Sequence, residues 1–169
     1  MTSVYLAIGS NMGDRQANID RAIRFLKEHE DMEVMETSAI MESEPEGCPP
    51  DGRRVAQERY LNGALHVRTD LTPLDLLTQL KMIERRLGRK KGEKNDPRPI
   101  DLDILFYDDV VIVEGKTLSI PHPRLEHRLF VLKPLSEIAS NVVHPRLKKT
   151  VRQLLDQRTH ENHTTQRSA

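Results

Sequence analysis

Residues 100–106 read Ile100-Asp101-Leu102-Asp103-Ile104-Leu105-Phe106, the cleanest alternation in the chain. Side chains two apart on a strand project to the same face, so Ile100, Leu102, Ile104 and Phe106 are expected on one side and both aspartates on the other. A strand with one apolar face needs a covering layer, and the segments on either side supply it. Upstream, Leu76, Leu80, Ile83 and Leu87 recur at helical spacing. Thr72-Pro73 starts that helix as an N-cap followed by proline at the first helical position, and Gly88 stops it. Before it, residues 60–68 alternate again, with Leu61, Leu65 and Val67 facing one way and Asn62, Ala64 and His66 the other.

Further toward the N-terminus, Val4, Leu6 and Ile8 mark a strand that Gly9-Ser10-Asn11 ends. Ile19, Ala22, Ile23 and Leu26 predict an amphipathic helix over about residues 15–29. Residues 32–41 read as a second strand. Residues 42–59 hold Pro45, Gly47, Pro49, Pro50 and Gly52 and have no period, and a loop of that length is usually functional or disordered. Downstream, Asp108-Asp109 is expected to turn the chain into residues 110–113 as a hairpin partner. Residues 125–132 suit a short helix that Pro134 ends, and residues 150–155 suit a final helical turn.

The order strand, helix, strand, loop, strand, helix, strand describes an α+β fold. It is a ferredoxin-like two-layer sandwich, a mainly antiparallel sheet with two helices packed on one face, and it implies no function by itself. Residues 1–156 are expected to form a single domain and residues 157–169 a polar, disordered tail.

The bulk properties exclude several classes. In 169 residues, 26 lysines and arginines balance 26 aspartates and glutamates, so no global charge points to nucleic acid or a membrane surface. There is no tryptophan, which disfavours a base-stacking binder. Cys48 is the sole cysteine, which fits a reducing compartment and makes the cytoplasm the expected location. The first residues lack a basic region followed by a long apolar stretch, so no signal peptide is expected. No apolar run approaches the ~20 residues of a membrane helix. G-x-x-x-x-G-K-[ST] and G-x-G-x-x-G loops, zinc spacings and the kinase signatures are all missing.

The chemistry concentrates around the two aspartates. Their Cα atoms lie roughly 6–7 Å apart on one strand face, close enough for both carboxylates to converge on one hard cation or to bridge two. A solvent-facing edge strand with alternating acids fits the spacing equally well. The segment leading into them carries Lys81, Arg85, Arg86, Arg89, Lys90, Lys91, Lys94 and Arg98 against Glu84, Glu93 and Asp96. Cations for phosphate oxygens beside acids for bridging ions suit a metal–polyphosphate substrate, and tilt the balance toward a phosphate-handling enzyme. Pro121-His122-Pro123 fixes an imidazole, with Arg128 just beyond it. Asn62 offers a donor–acceptor pair to a heterocycle edge, and Phe130 is either a stacking ring or core.

Together these residues resemble one family, the 6-hydroxymethyl-7,8-dihydropterin pyrophosphokinases of folate biosynthesis. The landmarks are Ala7-Ile8-Gly9-Ser10-Asn11 with Gly13-Asp14-Arg15, then Tyr60-Leu61-Asn62-Gly63-Ala64. Residues 97–105 (Pro-Arg-Pro-Ile-Asp-Leu-Asp-Ile-Leu) and Ile120-Pro121-His122-Pro123-Arg124 complete them. The resemblance implies the ferredoxin-like fold and a diphosphokinase that moves diphosphate from ATP, its co-substrate, to the 6-hydroxymethyl group of a reduced pterin alcohol. It implies two Mg2+ ions held by Asp101 and Asp103. ATP contacts would come from Glu84, Arg89, Arg98, Ile104, His122 and Arg128, with Arg89 and Arg98 most involved in the transfer. Pterin contacts would come from Ser43, Glu46, Tyr60, Asn62 and Phe130, with Phe130 stacked on the ring. No nucleic-acid or membrane partner is implied, and a monomer is expected.

Three departures from the family pattern stand out. Lys94-Asn95-Asp96 occupy positions where a basic residue and an aromatic one are common, Lys81 replaces a common glutamine, and the loop before Tyr60 is longer than usual, with Gln57 fitting a Gln-Pro element whose proline Glu58 replaces. Lid contacts that use the aromatic ring must be altered or absent here. Two other functions compete. An RNA-docking module would need exposed aromatics on the sheet, and too few are present. A magnesium enzyme with another acceptor would release ADP or pyrophosphate in place of AMP.

Overall fold

A computed structural model describes residues 1–44, 58–92 and 96–167. Glu46, Cys48, Gln57, Lys94 and Asn95, and with them most of the long loop after residue 44, lie outside the described residues. The chain runs β1 (Thr2–Ser10), α1 (Arg15–Glu28), β2 (Met32–Thr37), β3 (Met41–Ser43), β4 (Tyr60–Thr69), α2 (Pro73–Arg86) and β5 (Asp101–Tyr107). It continues through β6 (Ile112–Glu114), β7 (Leu118–Ile120), a 3-10 turn (Leu125–His127), α3 (Leu129–Ala139) and α4 (Val151–Arg167). The main sheet is antiparallel in the order β2-β4-β1-β5, and β3 also pairs with β4. The segment expected as one strand over 32–41 is therefore two short strands on the same partner.

Both predicted helices form where their caps put them. Asp14 accepts a hydrogen bond from the Ala17 N–H at the start of α1, and Thr72 accepts one from Asp75 ahead of Pro73. Such caps are worth about 1 kcal/mol each. Gly88 takes φ +95° just past α2, a conformation that suits glycine. Helices α1 and α2 cover one sheet face, where Val4, Leu6, Ile8, Leu65, Val67, Leu102 and Ile104 meet Ile19, Leu26, Leu76, Leu80 and Ile83. Each fully buried side chain of this kind contributes about 1.5–3 kcal/mol.

The other face is covered only in part. Ala64 and Phe106 pack there against Val131, Leu132 and Leu135 of α3 and Val151 and Leu154 of α4, forming a second core. Phe106 was expected beside Ile104. A bulge changes its side: Leu6 pairs with Ile104 but Tyr5 pairs with Phe106, so Leu105 is an extra residue and the alternation flips after it.

Three further expectations fail. Pro134 lies inside α3 and does not end it, because packing of Leu132 and Leu135 holds the helix across the missing N–H. Residues 112–114 pair with β7 and not with β5. The tail expected to be disordered from 157 is helical to Arg167. The Thr150 hydroxyl accepts from the Gln153 N–H while the Gln153 side chain accepts from the Thr150 N–H, a reciprocal cap that starts α4. Pairs such as Arg152–Asp156 and Gln157–Glu161 extend it.

Candidate active site

Where α3 leaves the second sheet face open, the strands turn polar. Ala7 and Gly9 of β1 lie between Asn62 and Ala64 of β4 and Asp101 and Asp103 of β5, since Gly9 pairs with both Asn62 and Asp101 and Ala7 with both Ala64 and Asp103. Small residues on the central strand keep the floor low. A Cβ on Gly9 would lie 3.2 Å from Asn62 Oδ1 and crowd the basin. The basin holds about 370 Å³. Its walls include Ser43, Tyr60, Asn62, Lys81, Arg89, Arg98, Asp101, Asp103, His122, Arg128 and Phe130. A second cavity of about 770 Å³ shares Lys81, Arg89 and Arg98 and adds Arg85, Lys90 and Lys91.

Asp101 is held by two cations. Arg89 Nη1 donates to Oδ1 at 2.8 Å, and Arg98 Nη1 reaches Oδ2 at 3.4 Å. Glu84 stands behind Arg89, only 2% exposed, and its Oε1 lies 2.7 Å from Arg89 Nη1. That same oxygen accepts the Leu102 N–H at 2.9 Å, and Lys81 pairs with the other at 3.2 Å. Among the described residues no such clamp holds Asp103. Burial, and next the negative charge of Asp101, pushes its carboxyl up to about 7. Two acids on one face, one of them costly to ionise, make a donor set that a divalent cation would relieve. Among the described residues no group of three or more histidines, cysteines and acids could hold a metal. A two-carboxylate site fits an ion whose remaining ligands are substrate oxygens and water.

His122 is set by the bulge, because its N–H donates to the displaced Leu105 carbonyl at 3.0 Å. Burial, then the charge of Arg128, pushes the imidazole down to about 4, so it is neutral at pH 7. Its Nδ1 accepts the Arg124 N–H at 3.3 Å, which assigns the proton to Nε2 and makes that nitrogen a donor. On the opposite wall the Asn62 amide donates to Ser43 Oγ. Arg128 occupies the N-cap position of α3 without a side-chain cap bond, and its guanidinium lies 5.6 Å from the Phe130 ring centre.

Of the metal, ATP and pterin contacts that the resemblance implies, ten line the basin, Ser43, Tyr60, Asn62, Arg89, Arg98, Asp101, Asp103, His122, Arg128 and Phe130, and Lys81 of the cationic segment joins them. Glu84 borders only the second cavity and faces Arg89, Lys81 and Leu102. Ile104 lines neither cavity and is 4% exposed in the first core. Glu44 and Arg124 line the basin without having been singled out. The sequence signal for Arg124 was its place directly after Pro121-His122-Pro123, and nothing local marked Glu44.

The family model for 7,8-dihydro-6-hydroxymethylpterin-pyrophosphokinase matches residues 5–140. A 2-amino-4-hydroxy-6-hydroxymethyldihydropteridine pyrophosphokinase of Aquifex aeolicus is 41% identical over 94% of this chain and 94% of its own length. One from Bacillus subtilis is 40% identical over 82% of this chain and 78% of its own. Among solved structures, Plasmodium falciparum HPPK-DHPS with pteroate superposes with a TM-score of 0.73 at 18% identity, and the match covers 92% of this chain and 42% of that one. The likeness to this longer protein carries the fold. By the family match and the curated relatives together, the chain belongs to the 7,8-dihydro-6-hydroxymethylpterin-pyrophosphokinase family.

Proposed function

We propose that the basin transfers the terminal diphosphate of ATP to the 6-hydroxymethyl oxygen of 6-hydroxymethyl-7,8-dihydropterin, in folate biosynthesis. The hydroxymethyl oxygen bonds to the β-phosphorus, the bond from that phosphorus to the α,β-bridging oxygen breaks, AMP leaves and the hydroxyl proton is released. The observation that carries this is the juxtaposition on one sheet face of the Asp101–Asp103 pair, wedged against Arg89 and Arg98, with the Ser43–Asn62–Phe130 wall. A polyphosphate suits the first group and a flat heterocycle the second.

Asp101 and Asp103 would hold two magnesium ions, which when bound would neutralise phosphate charge and align the transferring group. Arg89 and Arg98 balance negative charge on the phosphates, with Arg89 pre-positioned by Glu84. His122 donates from Nε2 to a phosphate oxygen without adding a charge, and Arg128 adds one. Asn62 and Ser43 hydrogen-bond the pterin edge, Tyr60 borders it and Phe130 stacks on its face. Glu46, outside the described residues, is proposed as a further pterin contact from the family resemblance alone. Glu84 and Ile104 would serve the nucleotide side from behind the basin wall. No side chain is positioned as an obvious general base, so positioning and charge neutralisation supply most of the rate.

The enzyme works as a monomer in the cytoplasm, on ATP and the pterin alcohol, with no nucleic-acid or membrane partner. Two observations support the absence of nucleic-acid and membrane partners: 26 lysines and arginines balance 26 aspartates and glutamates, and no helix among the described residues is long and apolar enough to cross a membrane. The test is AMP release from enzyme, ATP, magnesium and the reduced pterin alcohol. AMP in step with pterin diphosphate is the expected result. No AMP overturns the proposal, and ADP or pyrophosphate points to a different acceptor chemistry.

A further inference from the structure

We infer that Asn11 is a positioning residue for Arg98. The β1–β5 ladder ends at the pair Gly9–Asp101, so Arg98, three residues before Asp101, lies beyond the last rung. The chain there has little means of holding itself. Pro97 and Pro99 have no N–H, which leaves the Arg98 N–H as the single backbone donor of residues 97–99. That donor goes to Asn11 Oδ1 at 2.7 Å, and the Asn11 N–H returns a bond to the Arg98 carbonyl at 3.1 Å. An asparagine side chain is imitating a peptide carbonyl and adding one more rung to the ladder. Asn11 is 2% exposed and lines neither cavity, so it acts on substrate only through Arg98.

Arg89 and Arg98 thus grip the two oxygens of Asp101 from separate anchors, Arg89 from Glu84 and Arg98 from Asn11. Aspartate at position 11 keeps an acceptor in the same place, whereas alanine has none. Serine is too short to reach the Arg98 N–H.

The kinetic part of the test rests on the proposed reaction, and the exchange part does not. Asn11→Ala is expected to lower kcat about 10²-fold, the scale for misplacing a catalytic group, with both KM values within about threefold. In an Arg98→Ala background the same substitution should change kcat by less than about twofold, because its target is gone. Asn11→Asp should recover most of the loss. In the substrate-free protein the Arg98 amide should exchange at least about tenfold faster in Asn11→Ala and stay protected in Asn11→Asp. Should the alanine variant fail to fold, Asn11→Ser takes its place. Unchanged Arg98 exchange on losing the acceptor overturns the clamp. An equal fall in kcat in both backgrounds overturns the route through Arg98. A wild-type enzyme that makes no AMP sinks the proposed reaction and leaves the exchange result standing.

Discussion

On the β5 side of the basin charged groups lean on one another or on the backbone, Asp101 on Arg89 and Arg98, Arg89 on Glu84 and Glu84 on the Leu102 N–H, while Asp103 stands outside this series. On the β4 side the expected substrate contacts are neutral, and the nearby Glu44 pairs with Arg59. Asn62 bonds Ser43, Ser43 pairs with Tyr60 across β3 and β4, and the Phe130 ring packs against the second core. The half proposed for phosphate is assembled against its own electrostatics, since Asp103 is hard to ionise beside Asp101. The half proposed for the pterin is an outgrowth of ordinary packing. Residues of the first half should therefore govern the transition state, and those of the second should govern substrate affinity.

The sharpest way to break that division is to remove a carboxylate. Asp101→Ala or Asp103→Ala should lower kcat on the order of 10³-fold, because metal-borne charge stabilisation is worth several kcal/mol and each 1.36 kcal/mol is tenfold. Far-UV circular dichroism should be unchanged. A variant keeping most of its turnover sinks the metal assignment. Arg89→Ala comes next, with a loss of about 10²–10³-fold in kcat, the scale of one lost charge-stabilising donor, and little change in pterin KM. A rise confined to pterin KM would place Arg89 in the wrong half.

For the neutral wall the expected pattern is reversed. Phe130→Ala should raise pterin KM about tenfold, since ring stacking is worth about 1–3 kcal/mol per base, while kcat moves by no more than a few-fold. Titration with the pterin alone, followed calorimetrically, should show the same loss. A fall in kcat at constant KM would mean that the ring positions phosphate and the two halves are not separable.

How visible each half was in the sequence follows from how it is built. Regular periods exposed β1, α1, β4, α2 and the first part of β5, and with them the face carrying Asp101, Asp103 and Asn62. The bulge at Leu105 left no mark, because an extra residue is set by pairing with β1 and not by local composition, and so Phe106 was assigned to the wrong face. Pro134 misled for the opposite reason: a strong local signal was overridden by burial of its neighbours. The cap that starts α4 was present as Thr150 and Gln153, yet the polar stretch after Gln157 has no apolar stripe to advertise a helix. The bond from Arg98 to Asn11 spans 87 positions, which no window of local pattern reaches.

A test on stability and not on turnover concerns His122, which sits on the charged half yet carries no charge. In an unfolded chain it titrates near 6.5, and in the folded protein burial and Arg128 push it down to about 4. The unfolded state therefore binds the proton first, and stability is lost as pH falls from about 6.5 toward 4. A shift of that size corresponds to about 3 kcal/mol at most. His122→Gln removes that titration and leaves those of Asp103 and other groups common to both proteins, so wild type should fall behind the variant by up to that amount between pH 7 and pH 4, measured by urea unfolding at each pH. Parallel profiles would mean that His122 takes up its proton in the folded protein as it does in the unfolded chain, near 6.5. Below that pH it would then meet phosphate as a cation, as Arg128 does, and the neutral Nε2–H donor would hold only above it.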